Sequence, residues 1–327
     1  MVTEGPVLQV GVVVVSVLGL WIGARLLVDA AVRLARRFGL SELTIGLTIV
    51  AMGTSTPELA VSVDAALKGL GDIAVANVLG SNVYNLAFIL GVVSLVRVVP
   101  IAKSLVHRDG VALLASTVVG GLTLLDGRVT RIEGIALAAL FAGYTAVLLR
   151  TNRPAAAGES PPTPDGGTAA SALDRLTFRG RNVVFLLVGL AVVLVSGDAM
   201  VVAASALARG AGVSEWVIGG TIVAAGTSTP EFAVSLVAIR QGSLGVSVGN
   251  VVGSNVFNVT GILGVAAVVR PLAVGGAALE TLAWLLAVSV LMVAALWTGR
   301  VLSRAEGALF AGSEVVRWVL GLLGLLG

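Results

Sequence analysis

The chain has 327 residues, of which 57% are hydrophobic and only 12% are charged, and its mean hydropathy is +1.03. A soluble domain carries about 25% charged residues, so this composition excludes a water-soluble globular protein and predicts a polytopic membrane protein. The absence of cysteine excludes disulfides and thiolate metal sites, and the net charge of +3 is better explained by membrane loops than by nucleic-acid binding.

Apolar runs of about 20 residues predict the transmembrane helices. The first run begins near Val7 without a preceding basic segment, and it is too long for a signal peptide, so we expect it to be retained. Ten such spans are predicted, with the fourth the least sharply bounded: 7–32, 42–67, 73–99, 109–125, 131–149, 182–206, 215–239, 245–269, 274–298 and 305–326.

A segment of different composition separates the fifth and sixth spans. Residues 151–180 contain four of the nine prolines and no apolar pattern, which predicts a flexible linker. The predicted organisation is therefore a first five-helix unit at 1–150, the linker, and a second five-helix unit at 181–327.

The distribution of basic residues predicts the orientation. Of the lysines and arginines in loops, 14 fall on the side that includes the linker and five on the other side. Because cytoplasmic loops are enriched in these residues, we expect the linker in the cytoplasm and both termini outside. The predicted location is the cell membrane.

The two units are related by an internal repeat. A shift of 173 residues carries Glu58 onto Glu231, and 34 of 59 positions are identical between 39–97 and 212–270. Five spans per unit is an odd number, so the second unit must enter the membrane in the opposite sense. The predicted fold is an all-α membrane protein of ten transmembrane helices arranged as two inverted five-helix repeats, a design typical of alternating-access transporters.

The hexapeptide "GTSTPE" occurs in the second span and again in the seventh. Pro57 removes one helical hydrogen bond, which predicts a kink and free backbone carbonyls at 51–53. Thr54, Ser55 and Glu58 are three to four residues apart and share one helical face. The second copy supplies the equivalent residues Thr227, Ser228, Pro230 and Glu231.

The following span of each unit adds polar residues at a spacing of four. Asn77, Ser81 and Asn85 therefore line one helical face, and the second unit repeats them as Asn250, Ser254 and Asn258. Asparagines 85 and 258 are predicted to line the site, although hydrogen bonding between helices is an alternative for such residues.

Together these groups predict a cation site at the middle of the membrane. Carboxylates, hydroxyls, amide oxygens and carbonyls are hard ligands that suit Ca²⁺ or Na⁺, whereas zinc and copper would require histidine or cysteine. Two carboxylates balance one divalent ion. Since two buried charges without a counter-ion are costly, protons or Na⁺ must replace Ca²⁺ when it leaves.

The sequences "GTSTPELAVS" with "ANVLGSNVYN", and "GTSTPEFAVS" with "GNVVGSNVFN", resemble the two alpha-repeats of the cation/calcium exchanger superfamily, most closely those of prokaryotic sodium/calcium antiporters. The alpha-1 motif would cover 51–91 and the alpha-2 motif 224–264. The resemblance implies that the first and sixth spans slide as a gate against the other eight.

The resemblance also implies a role for each matching residue. The central Ca²⁺ ligands would be Glu58 and Glu231. Side-chain or backbone oxygens would come from Thr54, Ser55, Thr227 and Ser228, and carbonyls from Ala51 and Ala224. The flanking Na⁺ positions would be completed by Ser81, Asn85, Ser254 and Asn258.

This chain departs from some members of that superfamily, which carry aspartate where it has Asn85 or Asn258. Only two acids remain, which argues against the potassium-dependent branch and leaves Na⁺ or H⁺ coupling open. We expect a secondary antiporter that exports Ca²⁺ in exchange for Na⁺, with H⁺/Ca²⁺ exchange as the alternative.

Other functions are less favoured. A cation channel usually assembles its pore from several subunits, whereas here one chain supplies both halves of a closed site. We find no enzyme motif, and we expect no cofactor apart from the transported cations. The expected partners are these cations and the lipid bilayer, without nucleic acid or an obligatory protein.

Overall fold

The computed structural model describes residues 5–100, 105–151, 169–212, 224–299 and 301–322. These residues are mostly helical, and the strands among them are only two residues long. Several helices are interrupted by single π-helical turns, in which backbone bonds run from residue i to i+5.

The described part of the first half contains eight α-helices and two strands. The helices are α1 Pro6–Phe38, α2 Glu42–Ile45, α3 Ala51–Thr54, α4 Thr56–Lys68, α5 Gly71–Val83, α6 Leu90–Val96, α7 Val111–Leu122 and α8 Arg131–Thr151. The π-helical turns are Gly46–Val50, Tyr84–Ile89 and Leu105–Gly110, and the strands are β1 Val99–Pro100 and β2 Arg128–Val129.

The described part of the second half repeats much of this order. Its helices are α9 Ala169–Gly210, α10 Ala224–Thr227, α11 Thr229–Arg240, α12 Leu244–Val256, α13 Leu263–Val269, α14 Gly276–Gly299 and α15 Arg304–Leu322. A π-helical turn covers Phe257–Ile262, and the strands are β3 Leu272–Ala273 and β4 Val301–Leu302.

Seven helical segments of the described chain are long and apolar enough to cross a membrane, so the protein is a helical membrane protein. They are Pro6–Phe38, Gly71–Val96, Leu105–Leu122, Arg131–Thr151, Gly180–Gly210, Leu244–Val269 and Gly276–Trp297. The other three expected spans differ for local reasons. The spans 42–67 and 215–239 are interrupted at Ser55 and Ser228, and 213–223 lie outside the described residues. The last, α15, carries four charged residues.

Two expected boundaries differ from the structure. The fourth span was expected at 109–125, but its helix runs over Leu105–Leu122 because a π-helical turn extends it backwards. Helix α9 begins at Ala169, within the segment 151–180 that was expected to be a flexible linker. The four prolines of that segment all precede 165, and the alanine-rich sequence after them favours a helix.

The shift of 173 residues also relates elements of the structure. It carries β1 onto β3 and β2 onto β4, and the strands pair crosswise. β1 pairs antiparallel with β4 and β2 with β3, so that Val99 faces Leu302 and Val129 faces Leu272. Each two-stranded sheet therefore contains one strand from each half of the chain.

Helix contacts cross between the halves in the same way. In α8, a Cβ on Gly134 would lie 2.7 Å from the Gly264 carbonyl of α13. In α15, a Cβ on Gly307 would lie 2.6 Å from the Gly91 carbonyl of α6. Both helix pairs thus approach backbone to backbone, which only glycine permits. The long helices α1 and α9 pack along each other, and Gly23 lies against Gly189.

Local sequence explains where the central helices begin and end. The Ser41 hydroxyl accepts a hydrogen bond from the Thr44 N–H at 3.0 Å and so caps the N-terminus of α2. Pro57 lies in the first turn of α4, where a helix has no use for its missing N–H. Gly69 follows the last residue of α4 with φ 78°, and the equivalent glycine in the second half, Gly242, has φ 83°.

Candidate cation-binding site

Two buried carboxylates lie at the start of short helices. Glu58 is in the first turn of α4 and Glu231 in the first turn of α11, and both are 0% exposed. Each helix begins just after a break, at Ser55 and Ser228. The N-terminus of a helix carries partial positive charge, which favours an anion there. The break predicted from proline therefore also provides electrostatic support for the acid that follows it.

Each carboxylate is bound by a hydroxyl of the other half. The Ser55 hydroxyl donates to Glu231 Oε1 at 2.7 Å, and the Ser228 hydroxyl donates to Glu58 Oε1 at 2.9 Å. All four side chains are 0% exposed. Since each serine lies three residues before the glutamate of its own half, the two bonds bring the "GTSTPE" segments of both halves into one centre.

Further hydroxyls surround the Glu231 side of this centre. Thr54 donates to Asn250 Oδ1 at 3.0 Å and also lies 3.3 Å from the Ala51 carbonyl. The Ser254 hydroxyl lies 3.5 Å from Glu231 Oε1 and from the Ala51 carbonyl. The structure thus places four of the predicted residues around Glu231, together with Asn250.

The carbonyls expected to be free at 51–53 are hydrogen-bonded. The Ser55 N–H donates to the Ala51 carbonyl at 3.0 Å, and the Thr56 hydroxyl donates to the Gly53 carbonyl at 2.7 Å. Thr56 supplies the donor that Pro57 cannot, which corrects the expectation of free carbonyls. A carbonyl has two lone pairs, so Ala51 retains capacity for a ligand.

The remaining predicted residues are less completely defined. Thr227 ends α10 close to the Glu58 carboxylate. Ala224 begins α10, and only its backbone is described. Ser81 is buried in α5, four residues before Asn85, and is 3% exposed.

A pair of asparagines supports the glutamate backbones. Asn77 donates to the Glu58 carbonyl at 3.0 Å and to the Ser62 hydroxyl at 2.9 Å. Asn250 repeats both bonds, to the Glu231 carbonyl at 3.3 Å and to the Ser235 hydroxyl at 3.0 Å. Asn77 thus contacts backbone and hydroxyl oxygens, and both asparagines fix the short helices against α5 and α12.

Four more asparagines are buried where α5 and α12 meet their π-helical turns. Asn85 and Asn258 lie within the turns, and Asn82 and Asn255 lie near the ends of the preceding helices. All four are 0% exposed. Sequence reasoning did not select Asn82 and Asn255, although both are identical in the repeat. That recurrence in "GSN" was the signal that could have identified them.

Several oxygens of this cluster have no hydrogen-bond donor within the described parts of the chain: Glu58 Oε2, Glu231 Oε2, Asn85 Oδ1, Asn255 Oδ1 and Asn258 Oδ1. Buried polar atoms are normally paired, and an unpaired carboxylate is the most costly case. A hard cation would satisfy such a set of oxygens. No three His, Cys, Asp or Glu side chains cluster among the described residues, so a cation here would depend largely on neutral oxygens.

An apolar cavity of about 460 Å³ adjoins the centre. It lies between α1, α9 and α11 and is lined by residues that include Trp21, Val201 and Phe232. It reaches Gly226, which directly precedes Thr227, and it extends to Arg240 at the end of α11. The pair α1 and α9 therefore borders open apolar space next to the buried polar cluster.

Comparison with known proteins agrees with this architecture. A family model described as "Sodium/calcium exchanger protein" matches residues 8–150 and 181–322. The chain superposes on the structure of the sodium-calcium exchanger NCX_Mj soaked with zero Na⁺ and Ca²⁺, with a TM-score of 0.81 and 27% identity. That superposition covers 98% of this chain and 100% of the other.

Relatives of similar length give the same result. The putative antiporter CaxA of Alkalimonas amylolytica is 34% identical over 303 residues, which are 91% of this chain and 93% of the relative. The sodium/calcium exchanger MaX1 of Methanosarcina acetivorans is 29% identical over 317 residues, 87% and 90% of the two chains. The helical fold and these likenesses indicate a membrane transporter of cations. The chain belongs to the sodium/calcium exchanger protein family, which confirms the resemblance found in its sequence.

Proposed function

We propose that this protein is a secondary antiporter that exchanges Ca²⁺ for Na⁺ across the cell membrane by alternating access, in the direction of Ca²⁺ export. The observation that carries the proposal is the crossed pair of bonds from Ser55 to Glu231 and from Ser228 to Glu58. These bonds join one carboxylate from each half in a single buried centre. Family membership supports cation/calcium exchange in general.

The charges of this centre account for obligatory exchange. With Ca²⁺ bound, Glu58 and Glu231 are balanced by one divalent ion. Without a cation, two buried charges would remain in a medium that solvates them poorly, which is costly. Only the protein with a bound cation is therefore able to switch between inward and outward access. Ca²⁺ leaves the centre only when Na⁺ replaces it.

The neutral residues are proposed to complete the ion positions. Hydroxyl and carbonyl oxygens of Thr54, Thr227, Ala51 and Ala224 surround the central Ca²⁺ together with Ser55 and Ser228. The flanking Na⁺ positions are formed by Ser81, Asn85, Ser254 and Asn258. The unpaired Oδ1 atoms of Asn85 and Asn258 support this assignment, because buried amide oxygens normally have a partner.

Alternating access is proposed to follow from ten spans in two inverted repeats. The crosswise strand pairs support it, since β1 with β4 and β2 with β3 are related by the repeat shift. The apolar cavity beside α1 and α9 supports a sliding movement of this pair, because apolar surfaces can shift without losing hydrogen bonds. By the distribution of basic residues, the linker 151–180 is cytoplasmic and both termini lie outside.

The proposal is tested with purified protein in proteoliposomes loaded with Ca²⁺. An inward Na⁺ gradient at constant pH should drive Ca²⁺ out, and a pH gradient without Na⁺ should not. Ca²⁺ movement that ignores Na⁺ but follows the pH gradient would replace this proposal by H⁺/Ca²⁺ exchange at the same site. That alternative rests on the two acids of the centre, since two protons would neutralise them as well as Na⁺ does. Single-channel currents would instead indicate a channel.

A further inference from the structure

Two buried asparagines form a chain of hydrogen bonds that leads to one proposed Na⁺ ligand. Asn82 Nδ2 donates to the backbone carbonyl of Asn255 at 3.0 Å, and Asn258 Nδ2 donates to Asn82 Oδ1 at 3.0 Å. Asn258 Oδ1 accepts no hydrogen bond from the described residues. Both amides are 0% exposed, so water does not compete freely for these positions.

The chain of bonds fixes the direction of each amide. A backbone carbonyl can only accept, so the Asn255 carbonyl requires the Nδ2 end of Asn82. The Oδ1 end of Asn82 then faces Asn258, which must present its own Nδ2. The other end of the Asn258 amide, Oδ1, therefore points away from Asn82 and accepts no hydrogen bond from the described residues.

The equivalent chain in the other half is open. The repeat shift carries Asn82 onto Asn255 and Asn85 onto Asn258. Asn255 Nδ2 donates to the Val251 carbonyl of its own helix at 2.8 Å, and both side-chain atoms of Asn85 lack partners in the described structure. Asn258 is therefore oriented by a neighbour, whereas Asn85 is not. A duplicated sequence thus supports two different arrangements of the same residue pair.

We propose that Asn82 is a positioning residue that orients Asn258, holding its Oδ1 as a ligand for the transported cation. The assignment rests on the proposed function and adds to it a residue that touches no ion. It also gives a reason for an amide at 258. A carboxylate at 258 would place an acceptor oxygen against the acceptor Asn82 Oδ1, with no proton between them. Rotating the Asn82 amide by 180° would not help, because its oxygen would then lie against the Asn255 carbonyl.

A double-mutant cycle on equilibrium Ca²⁺ and Na⁺ binding to the purified full-length protein tests the assignment. Asn82→Ala and Asn258→Ala should each weaken binding by about two- to tenfold, the worth of one hydrogen bond or neutral ligand. If Asn82 acts through Asn258, adding Asn82→Ala to Asn258→Ala should produce no further loss. Effects that multiply in the double variant would overturn the assignment.

The repeat supplies a matched control. Asn255→Ala removes a buried asparagine side chain but keeps the backbone carbonyl that binds Asn82. Its effect should multiply with that of Asn258→Ala, since the side chain of Asn255 donates to the Val251 carbonyl and that of Asn258 to Asn82. If the effects of Asn255→Ala and Asn258→Ala also fail to multiply, the coupling is not specific to Asn82. That result would overturn the positioning role of Asn82.

Thermal stability and a second variant separate folding from function. A loss of thermal stability alone is what a purely structural role of Asn82 predicts, and it would leave ion affinity of the folded fraction unchanged. If Asn82→Ala does not fold, Asn82→Leu keeps the volume and removes the same two bonds. A wild-type protein that binds neither cation would overturn the proposed function, whereas normal wild-type binding with multiplying effects would overturn only the role of Asn82.

Discussion

At the scale of single residues, the two acids of the centre depend on both halves of the chain. Glu58 and Glu231 each accept a hydrogen bond from the opposite serine, and in each carboxylate the second oxygen is left without a donor in the described structure. One oxygen is thus held in place and the other is available to a cation. This division of roles is what a reversible ion site requires.

Changing either acid to an amide of the same shape should therefore remove exchange. Glu58→Gln and Glu231→Gln keep an oxygen for the serine but lose a negative charge, so the centre no longer balances a divalent ion. We expect Ca²⁺ flux in proteoliposomes to fall to background in both variants, with the melting temperature retained. Glu280→Gln, at an exposed position of α14, is the control and should transport normally. Near-normal flux in either centre variant would remove that acid from the site.

How far sequence could predict this site depends on periodicity and repetition. The repeat identified the glutamates and their serines as candidates, and helical spacing selected Asn77, Ser81 and Asn85. It did not select Asn82, which falls off the four-residue stripe. Its hydrogen-bond partners, Asn255 and Asn258, belong to the other half of the chain. Spacing within one helix does not reveal such a contact.

At the scale of secondary-structure elements, the proline breaks act differently from the simplest expectation. Pro57 was expected to leave carbonyls free, but the chain bends at Ser55, and Thr56 bonds the Gly53 carbonyl. The lasting effect of the break is a new helix N-terminus under Glu58. A proline followed by an acid in a sequence therefore predicts an anion at a helix N-terminus. It does not by itself predict free backbone carbonyls as ligands.

Helix crossings give a prediction at this scale. In α8, Gly134 lies against the backbone of α13, so that an added Cβ would be 2.7 Å from the Gly264 carbonyl. Gly134→Ala should therefore destabilise the protein by about 1–3 kcal/mol, because neither backbone can yield cheaply. Thermal unfolding in detergent, followed by light scattering or intrinsic fluorescence, measures the effect.

The same helix contains the control for this change. An added Cβ on Gly143 would meet no atom within 4 Å, and this glycine is exposed. Gly143→Ala should leave the melting temperature unchanged or raise it slightly, since alanine is the better helix former. Equal loss of stability in both variants would show that helix propensity, rather than the crossing of α8 and α13, decides the outcome.

At the scale of the whole molecule, pairing of strands and crossing of helices hold the two halves of the chain together. Strands pair across the halves, α8 crosses α13, and α15 crosses α6. The sequence predicted the two related units but not these partnerships, because a repeat shift says which elements are alike and not which of them touch. Crosswise pairing is a property of the assembled fold.

Covalent continuity between the halves should accordingly be dispensable. A chain divided within 152–168 and expressed as two polypeptides should assemble and exchange Ca²⁺ when both are present, since each supplies one carboxylate and one serine of the centre. Neither polypeptide alone should transport. Co-purification through a tag on one part, followed by the flux assay, measures this. Activity from a single part would contradict a site shared between the halves.

The ion charges give the last prediction, which concerns the transport cycle as a whole. One Ca²⁺ balances Glu58 and Glu231, and so do two Na⁺, which would make exchange electrically silent. If the flanking positions hold a third Na⁺, one net charge crosses in each cycle, and that charge is worth about 2.3 kcal/mol per 100 mV. The available oxygens of Asn85 and Asn258 favour the third ion, so we expect a potential imposed with K⁺ and valinomycin to change Na⁺-driven Ca²⁺ flux. An inside-positive potential should slow uptake of Na⁺ in exchange for internal Ca²⁺. Flux that is indifferent to potential, in vesicles shown to hold the potential, would limit the centre to two Na⁺ per Ca²⁺.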